Sequence, residues 1–158
     1  MTRVIVLGCA GSGKSTFARR LSERTGAPLI DLDALWRSNE DHERFRATLR
    51  RLHAADAWIS DGNFALATFD IRVPRADLIV WLDRPRIVCA WRAIKRVLTP
   101  GEAHHRLEDL GKVLTFIRTF DRRNRPLVEA ERVKHGPDVP VVHFASDRET
   151  DAFLADAG

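Results

Sequence analysis

One short stretch near the start of the chain constrains its fold more than any other. It opens with Val4–Leu7, an apolar and β-branched run that is typical of a strand buried on both faces. Residues 8–15 follow with the sequence GCAGSGKS, which matches the phosphate-binding pattern G-x-x-x-x-G-K-S. Apolar residues then recur at helical spacing, and Gly26 is placed to end that helix. Because strand, loop, helix and helix stop occur in the required order, the stretch predicts a site for a nucleoside triphosphate.

The residue types in this loop suit the binding of phosphate. Glycines let the backbone turn its N–H groups inward, and the positive end of the next helix lies against them. Lys14 would reach the β- and γ-phosphates, and the hydroxyl of Ser15 would bind Mg²⁺. ATP and Mg²⁺ are therefore the expected cofactors. The predicted nucleotide-binding residues are Gly8, Cys9, Ala10, Gly11, Ser12, Gly13, Lys14, Ser15 and Thr16.

Length and composition limit what can surround this loop. The 158 residues predict one domain, covering 1–158, around an α/β nucleotide-binding core. Apolar runs are short and the N-terminus shows no signal-peptide pattern, so we expect no membrane span and a cytoplasmic location. Cys9 and Cys89 form no disulfide framework and are expected to be reduced thiols. The net charge of +4 is too small to require nucleic acid as a partner.

Further apolar runs alternate with helical patterns along the rest of the chain. The runs that predict strands lie at 29–33, 58–60, 78–82 and 139–144. Helical patterns lie at 45–52, 85–98 and 106–133, with a short helix and loop at 64–74 and a capping box at 146–149. Pro140 indicates that the last strand lies at an edge or starts there. The alternation predicts an α/β fold of three layers, with a mostly parallel sheet of about five strands and helices on both faces.

Polar residues directly follow the predicted strands. They are Gly8, Asp31, Asp33, Asp61, Asp83 and Ser146. Ligands bind at the carboxyl ends of such strands, so these residues are expected to surround the site. Asp61 is the predicted acid for Mg²⁺-bound water, and capping of a turn is its alternative role.

Asp33 has two interpretations from the residues alone. On an extended segment, the Asp-x-Asp spacing puts Asp31 and Asp33 on the same face. Asp33 could then take the proton of a substrate hydroxyl as a general base. Alternatively, Asp33 caps a helix that begins at Ala34.

Several segments together resemble a known family. They are the phosphate loop, Leu32–Leu35, Asp61–Asn63, Pro74–Asp77 and Leu82–Arg86. Over nearly the whole chain they resemble the adenylate-kinase-like P-loop NTPases called topology modulation proteins. The wider superfamily contains adenylate, shikimate and nucleoside kinases. The resemblance therefore implies a nucleoside- or nucleotide-kinase-like fold with a helical lid, at about residues 99–125.

The resemblance also implies roles for arginines around the lid. Arg92 and Arg96 lie one helical turn apart before the break at 99–101, and Arg118 and Arg122 repeat this spacing after it. Paired arginines on both sides of a lid suit a phosphate clamp, and an ordinary solvated helix face is the alternative. Lys14, Asp33 and these four arginines are the predicted catalytic residues.

The turn after the third strand bears on the acceptor. Adenylate kinases continue this turn with an arginine that grips the phosphate of the acceptor nucleotide, whereas this chain reads DGNFAL at 61–66. The missing arginine favours a neutral hydroxyl acceptor, unless Arg72 or Arg75 restores the charge. In shikimate-kinase-like enzymes the Mg²⁺ acid follows strand two, which makes Asp31 the alternative to Asp61. The predicted acceptor-binding residues are Asp33, Trp36, Arg37, Asn63, Arg72 and Arg75.

The leading functional hypothesis is an ATP- and Mg²⁺-dependent kinase that phosphorylates a nucleoside, a nucleotide or a similar small hydroxyl compound. The alternative is a nucleotide-binding regulator that acts on DNA or a protein partner without phosphorylating a metabolite. No recognised nucleic-acid motif supports the second hypothesis. A plain ATPase is disfavoured because no glutamine or glutamate is evidently placed to orient water.

Overall fold

The computed structural model describes residues 2–38, 41–99 and 107–157. The strands within these ranges are β1 (Arg3–Gly8), β2 (Leu29–Asp31), β3 (Trp58–Asp61), β4 (Leu78–Leu82) and β5 (Val141–Phe144). The helices are α1 (Lys14–Thr25), α2 (Leu32–Ser38), α3 (His42–His53), α4 (Ala65–Arg72), α5 (Arg86–Leu98), α6 (Leu107–His135) and α7 (Asp147–Asp156). None of these helices is both long and apolar enough to cross a lipid bilayer.

The strands form one sheet in the order β2-β3-β1-β4-β5, and every neighbouring pair is parallel. The predicted fold class is thus confirmed. Strand β1 lies at the centre, so the loop that follows it emerges from the middle of the carboxyl edge. Strand β5 lies at one edge and begins directly after Pro140, as the proline indicated.

The core is divided between the two faces of this sheet. Ile5 and Leu7 of β1 pack with buried residues of α5 and α6 on one face, whereas Val4 and Val6 pack with α1 and α7 on the other. All four side chains are nearly or completely buried, because a central parallel strand has helices on both sides. Burial of such a side chain contributes about 1.5–3 kcal/mol, which fixes β1 and hence the start of the loop.

The second strand is shorter than predicted. It ends at Asp31, and α2 begins at Leu32 because the Asp31 carboxylate accepts hydrogen bonds from the N–H groups of Asp33 and Ala34 at 2.9 and 3.0 Å. This side-chain cap starts a helix where the sequence pattern predicted a continued strand. The prediction that Asp31 and Asp33 share a face of an extended segment is therefore wrong. The residue that caps the helix is Asp31, and Asp33 lies in its first turn.

The lid segment predicted at residues 99–125 lies only partly within the described residues, because 100–106 are outside them. Beyond that gap, α6 is a continuous helix of 29 residues that contains Pro126. It packs against both α4 and α5. Leu110 and Val113, near the start of this helix, line a cavity with residues of the phosphate loop. Further along, Ile117, Phe120 and Val128 pack in the core cluster that contains Ile5 and Leu7.

Candidate active site

The loop between β1 and α1 can form only with glycine at particular positions. Gly11 has a φ of +75°, and a Cβ atom there would lie 2.2 Å from the backbone carbonyl oxygen of Cys89 in α5. Any side chain would therefore force the loop and α5 apart. Gly13 has a φ of +92° and is the residue from which α1 starts. The two glycines let the backbone curl closely around the site.

The amino terminus of α1 is open to an anion. Among the described residues, no side chain caps this end of the helix, so its first-turn N–H groups are available to a ligand. Lys14 is the first residue of α1, and its ammonium group donates a hydrogen bond to the Cys9 carbonyl oxygen at 3.0 Å. Burial lowers the pKa of Lys14, while the nearby carboxylates of Asp61 and Asp33 act in the opposite direction. This set of donors suits the phosphates of a nucleotide.

Asp61 is buried beside the start of α1. Its side chain is 5% exposed, and one carboxylate oxygen, Oδ1, has no hydrogen-bond partner among the described residues. Burial raises the pKa of Asp61, and the Ser15 hydroxyl and the Lys14 ammonium oppose that shift. Asp31 pairs with Asp61 in register across β2 and β3, but one of its oxygens is occupied in capping α2.

These residues fit a magnesium ion that phosphate oxygens help to hold. Among the described residues, no group of three or more His, Cys, Asp or Glu side chains could hold a metal by itself. The hydroxyl of Ser15 and the unpaired oxygen of Asp61 are the hard oxygen donors that Mg²⁺ prefers. Mg²⁺ keeps several waters and is usually bound through one or two carboxylates plus substrate phosphates, which agrees with this small donor set.

Three cavities surround the phosphate loop. The largest, of about 660 Å³, lies between the loop, α5 and the start of α7. A smaller one of about 240 Å³ lies over the start of α1 and includes Ser15 and Thr16. The third, of about 460 Å³, lies between the loop, the turn after β3 and α6. We call them the outer, loop and side cavities.

The loop cavity and the side cavity share part of their walls. Ala10, Lys14 and Asp33 line both. The carboxylate of Asp33 accepts no hydrogen bond within the described part of the chain, and the side chain is exposed. A phosphate on the loop and a small molecule in the side cavity would therefore lie on either side of Ala10, Lys14 and Asp33.

The structure brings two of the four predicted arginines to the loop. Arg92 donates hydrogen bonds to the Ser12 carbonyl oxygen at 3.4 Å and to the Asp147 carboxylate at 2.5 Å. Arg96 lines both the outer and the loop cavity. Arg118 and Arg122 lie on an exposed face of α6 and line none of the three cavities.

Of the residues predicted to bind an acceptor, Asp33 and Asn63 line the side cavity. The Asn63 amide also clamps the start of the loop, because it accepts from the Gly8 N–H at 3.2 Å and donates to the Gly8 carbonyl oxygen at 2.9 Å. Trp36 packs edge-on against Phe45 and lies outside the cavity lining. The neighbouring Arg37 is exposed and does not line it either.

Arg72 and Arg75, the other two residues predicted to bind an acceptor, do not line the side cavity. Arg72 is fully buried and donates to the carbonyl oxygens of Gly62 and Asn63 at 3.0 and 2.7 Å, so it supports the turn from beneath. Arg75 donates to the Ala54 carbonyl oxygen at 3.0 Å, at the amino-terminal edge of the sheet. Neither one restores the missing positive charge in the side cavity.

Two residues that sequence reasoning missed belong to these cavities. Arg84 is 3% exposed, lines the outer cavity and donates to Asp147 and Thr150 at 3.0 Å each. Arg84 closely follows the carboxyl end of β4, and this position in the sequence could have indicated a place at the site. Asn124 of α6 lines the side cavity, and no spacing in that highly charged helix distinguished it.

Comparison with solved structures identifies the architecture. The shikimate kinase of Acinetobacter baumannii, solved in complex with shikimate, superposes with a TM-score of 0.64 at 16% identity, covering 99% of this chain and 90% of that one. The fold is that of the shikimate kinases. The shikimate kinase of Bacteroides thetaiotaomicron gives a TM-score of 0.63, also at 16% identity, over 98% of this chain and 95% of that one.

Sequence comparison gives a shorter match. A segment of 39 residues, which is 25% of this chain, is 46% identical to the adenylate kinase of Kocuria rhizophila. The match spans about a fifth of the length of that enzyme, 21%. No protein-family model matches the chain.

Proposed function

We propose that this protein is an ATP- and Mg²⁺-dependent kinase that transfers the γ-phosphoryl group to a hydroxyl group of a small molecule. The observation that carries the proposal is the shared wall of the loop and side cavities, formed in part by Lys14 and Asp33. Two reactants in adjoining cavities are held close together and oriented, which is the main requirement for phosphoryl transfer. The shikimate kinase fold and the short likeness to an adenylate kinase support the same reaction class.

The donor would be held by the loop and the arginines beside it. First-turn N–H groups of α1 would bind the phosphates, and Lys14 would exchange its bond to Cys9 for the β- and γ-phosphates. Arg96 lines the loop cavity, where its charge would stabilise the transferring group. The outer cavity, lined by Arg84 and Arg92, has room for the nucleoside part.

Asp33 would act on the acceptor. Its carboxylate accepts no hydrogen bond within the described residues, so it is available to accept one from the acceptor hydroxyl. As that oxygen forms its bond to the γ-phosphorus, the bond from this phosphorus to the bridging oxygen would break, ADP would leave, and the hydroxyl proton would pass to Asp33. Such general-base help is worth about a hundred- to ten-thousand-fold in rate. Ser15 and Asp61 would hold Mg²⁺, which would neutralise charge on the phosphates during transfer.

The narrower resemblance to topology modulation proteins stays a prediction, as does the alternative of a nucleotide-binding regulator. The side cavity favours the kinase, because a regulator needs no second small-molecule cavity that adjoins the phosphate loop. The clamp by Arg118 and Arg122 forms no part of the proposal, since both residues lie away from these cavities.

A phosphoryl-transfer screen tests the proposal. The protein would be incubated with γ-labelled ATP, Mg²⁺ and a panel of nucleosides, nucleoside monophosphates, polyols and shikimate, and labelled products would be separated. Asp33→Asn would be compared with Asp56→Asn, which makes the same change at an exposed aspartate distant from the loop. We expect Asp33→Asn to lower kcat by about a hundredfold or more with little change in nucleotide binding, and Asp56→Asn to match the wild type.

Two results would contradict the proposal. Binding of ATP without any labelled product, together with tight binding to DNA, would favour the regulator. Product formed equally well by Asp33→Asn and Asp56→Asn would remove Asp33 from the chemistry.

A further inference from the structure

The wall of the side cavity is mainly apolar. Eight of its thirteen lining residues are Ala, Val, Leu or Phe, and the larger ones are Phe64, Leu66, Phe116, Leu127 and Val128. They come from the start of α4 and from α6, on opposite sides of the opening. The volume of about 460 Å³ lies within the range of roughly 300–1,000 Å³ that is usual for small-molecule sites. A ligand there would bury apolar surface against both helices.

Charge in this cavity is confined to the end next to the phosphate loop. Lys14 and Asp33 are the only charged residues among the described ones that line it. Lys14 would be occupied by the donor phosphates, which leaves the negative charge of Asp33 to face the acceptor. An anionic acceptor would be repelled by Asp33 and would lose hydration without gaining a cation in exchange.

The nearest candidate for such a cation is already engaged. Arg72 lies under the turn that forms one side of the cavity, and its guanidinium donates to Ser60 Oγ and to the carbonyl oxygens of Gly62 and Asn63 at 3.1, 3.0 and 2.7 Å. It is fully buried, so it cannot reach a ligand without breaking these bonds. Arg72 therefore stabilises the turn that forms this side of the cavity and does not bind an anionic ligand.

Asn124 is the polar residue that α6 contributes to the wall of the cavity. It lies on α6, one helical turn before Leu127 and Val128 and two turns after Phe116. Within the described residues its amide makes no hydrogen bond, although the side chain is half-buried. An amide can both donate and accept, so it can bind a neutral polar group on an otherwise apolar molecule.

From these features we infer that the acceptor is an uncharged alcohol that carries an aromatic or alicyclic ring. Its hydroxyl lies at Asp33, its ring packs between Phe64 and the α6 residues, and a neutral polar substituent reaches Asn124. This inference rests on the proposed kinase function and goes beyond it by excluding phosphorylated and carboxylated acceptors.

Direct binding tests the inference without requiring turnover. Calorimetry in the presence of Mg²⁺ and a non-hydrolysable ATP analogue would compare four uncharged nucleosides with their own 5′-monophosphates, and with shikimate as a carboxylate. We expect at least one nucleoside to bind at least about tenfold more tightly than its monophosphate, and shikimate to bind more weakly than that nucleoside. Asn124→Leu should weaken binding of that nucleoside by about tenfold, the value of one hydrogen bond.

A gain-of-charge variant provides the matched comparison. Leu127→Arg adds a cation to the wall and should reverse the preference in favour of the monophosphate. Val133→Arg makes a comparable change at an exposed position further along the same helix and should leave the preference unchanged. Thermal melting of each variant would verify folding.

The outcomes separate the inference from the proposed function. Monophosphates or shikimate that bind as tightly as the nucleosides, or a panel in which no nucleoside binds, would overturn the inference about the acceptor. Tight nucleoside binding with no phosphoryl transfer from ATP would support the cavity assignment and overturn the kinase function.

Discussion

The buried histidine at the end of α3 should make the stability of the fold depend on pH. His53 is fully buried, with Nδ1 lying 2.9 Å from the Leu49 carbonyl oxygen and Nε2 lying 3.0 Å from Ser60 Oγ. Arg72 donates to the same Oγ at 3.1 Å. Ser60 therefore gives its own proton to Nε2, and the neutral ring donates from Nδ1 to Leu49. A second proton on the ring would leave the Ser60 hydroxyl without an acceptor.

The expected size of the effect follows from the pKa of this ring. Burial, aided by the charge of Arg72, lowers the pKa of His53 from 6.5 to about 4, although the Leu49 carbonyl opposes the shift. The unfolded chain binds this proton more readily than the folded protein does. The stabilisation of the fold by neutral His53 is therefore fully present above pH 6.5 and is lost as the pH falls towards 4. A pKa shift of this size corresponds to about 3 kcal/mol in the free energy of unfolding. About 2 kcal/mol of this is lost between pH 7 and pH 5.

Urea unfolding measured between pH 7 and pH 5 would test this value. Other groups also titrate in this range, so the wild type is compared with His53→Gln, which cannot gain the proton. The variant is expected to lose about 2 kcal/mol less than the wild type over the interval. Imperfect packing of glutamine would lower the free energy of unfolding by the same amount at every pH. It would therefore shift the whole curve of free energy against pH without changing its slope. Parallel curves for the two proteins would refute the reasoning.

Three further changes probe the loop itself. Gly11→Ala should lower the free energy of unfolding by at least about 2 kcal/mol in urea titrations. Gly26→Ala should lower it less, because Gly26 has a similar φ of +72° but, apart from its chain neighbours, no heavy atom of the described residues lies within 4 Å of its Cβ position. Equal losses for the two variants would show that the contact with α5 is unimportant. Asn63→Ala removes both hydrogen bonds to Gly8 at the start of the loop, so calorimetry should show weaker binding of an ATP analogue. Unchanged affinity would contradict a role for these two hydrogen bonds in holding the loop. Lys14→Ala should abolish ATP-dependent activity while the melting temperature stays near that of the wild type, and normal nucleotide affinity in this variant would contradict the assignment of the loop.

The sequence predicted the fold because buried parallel strands have few alternatives. Runs such as Leu78–Leu82 are apolar throughout and have helical patterns on either side, so strand order along the chain and the position of the loop followed directly. The start of α2 did not follow in the same way. There, a hydrogen bond from the backbone to the Asp31 side chain competes with continuation of the strand, and local pattern alone does not decide between them.

Side-chain direction on long helices limited the prediction of the site. Arg92–Arg96 and Arg118–Arg122 have the same spacing, but only the first pair faces the loop. The orientation of α6 is set by contacts of Ile117 and Phe120 with the core, which depend on parts of the chain distant in sequence. Asn124 was missed for the same reason.

The loop and side cavities share a wall that Lys14 and Asp33 help to form, and this arrangement has a stereochemical consequence for a kinase of this kind. Donor and acceptor would occupy adjoining cavities at the same time, so the phosphoryl group would have only one bond to break and one to form. No phosphorylated form of the enzyme would lie between them, and the configuration at phosphorus would be inverted in a single displacement. Both substrates would have to be present before either product could leave.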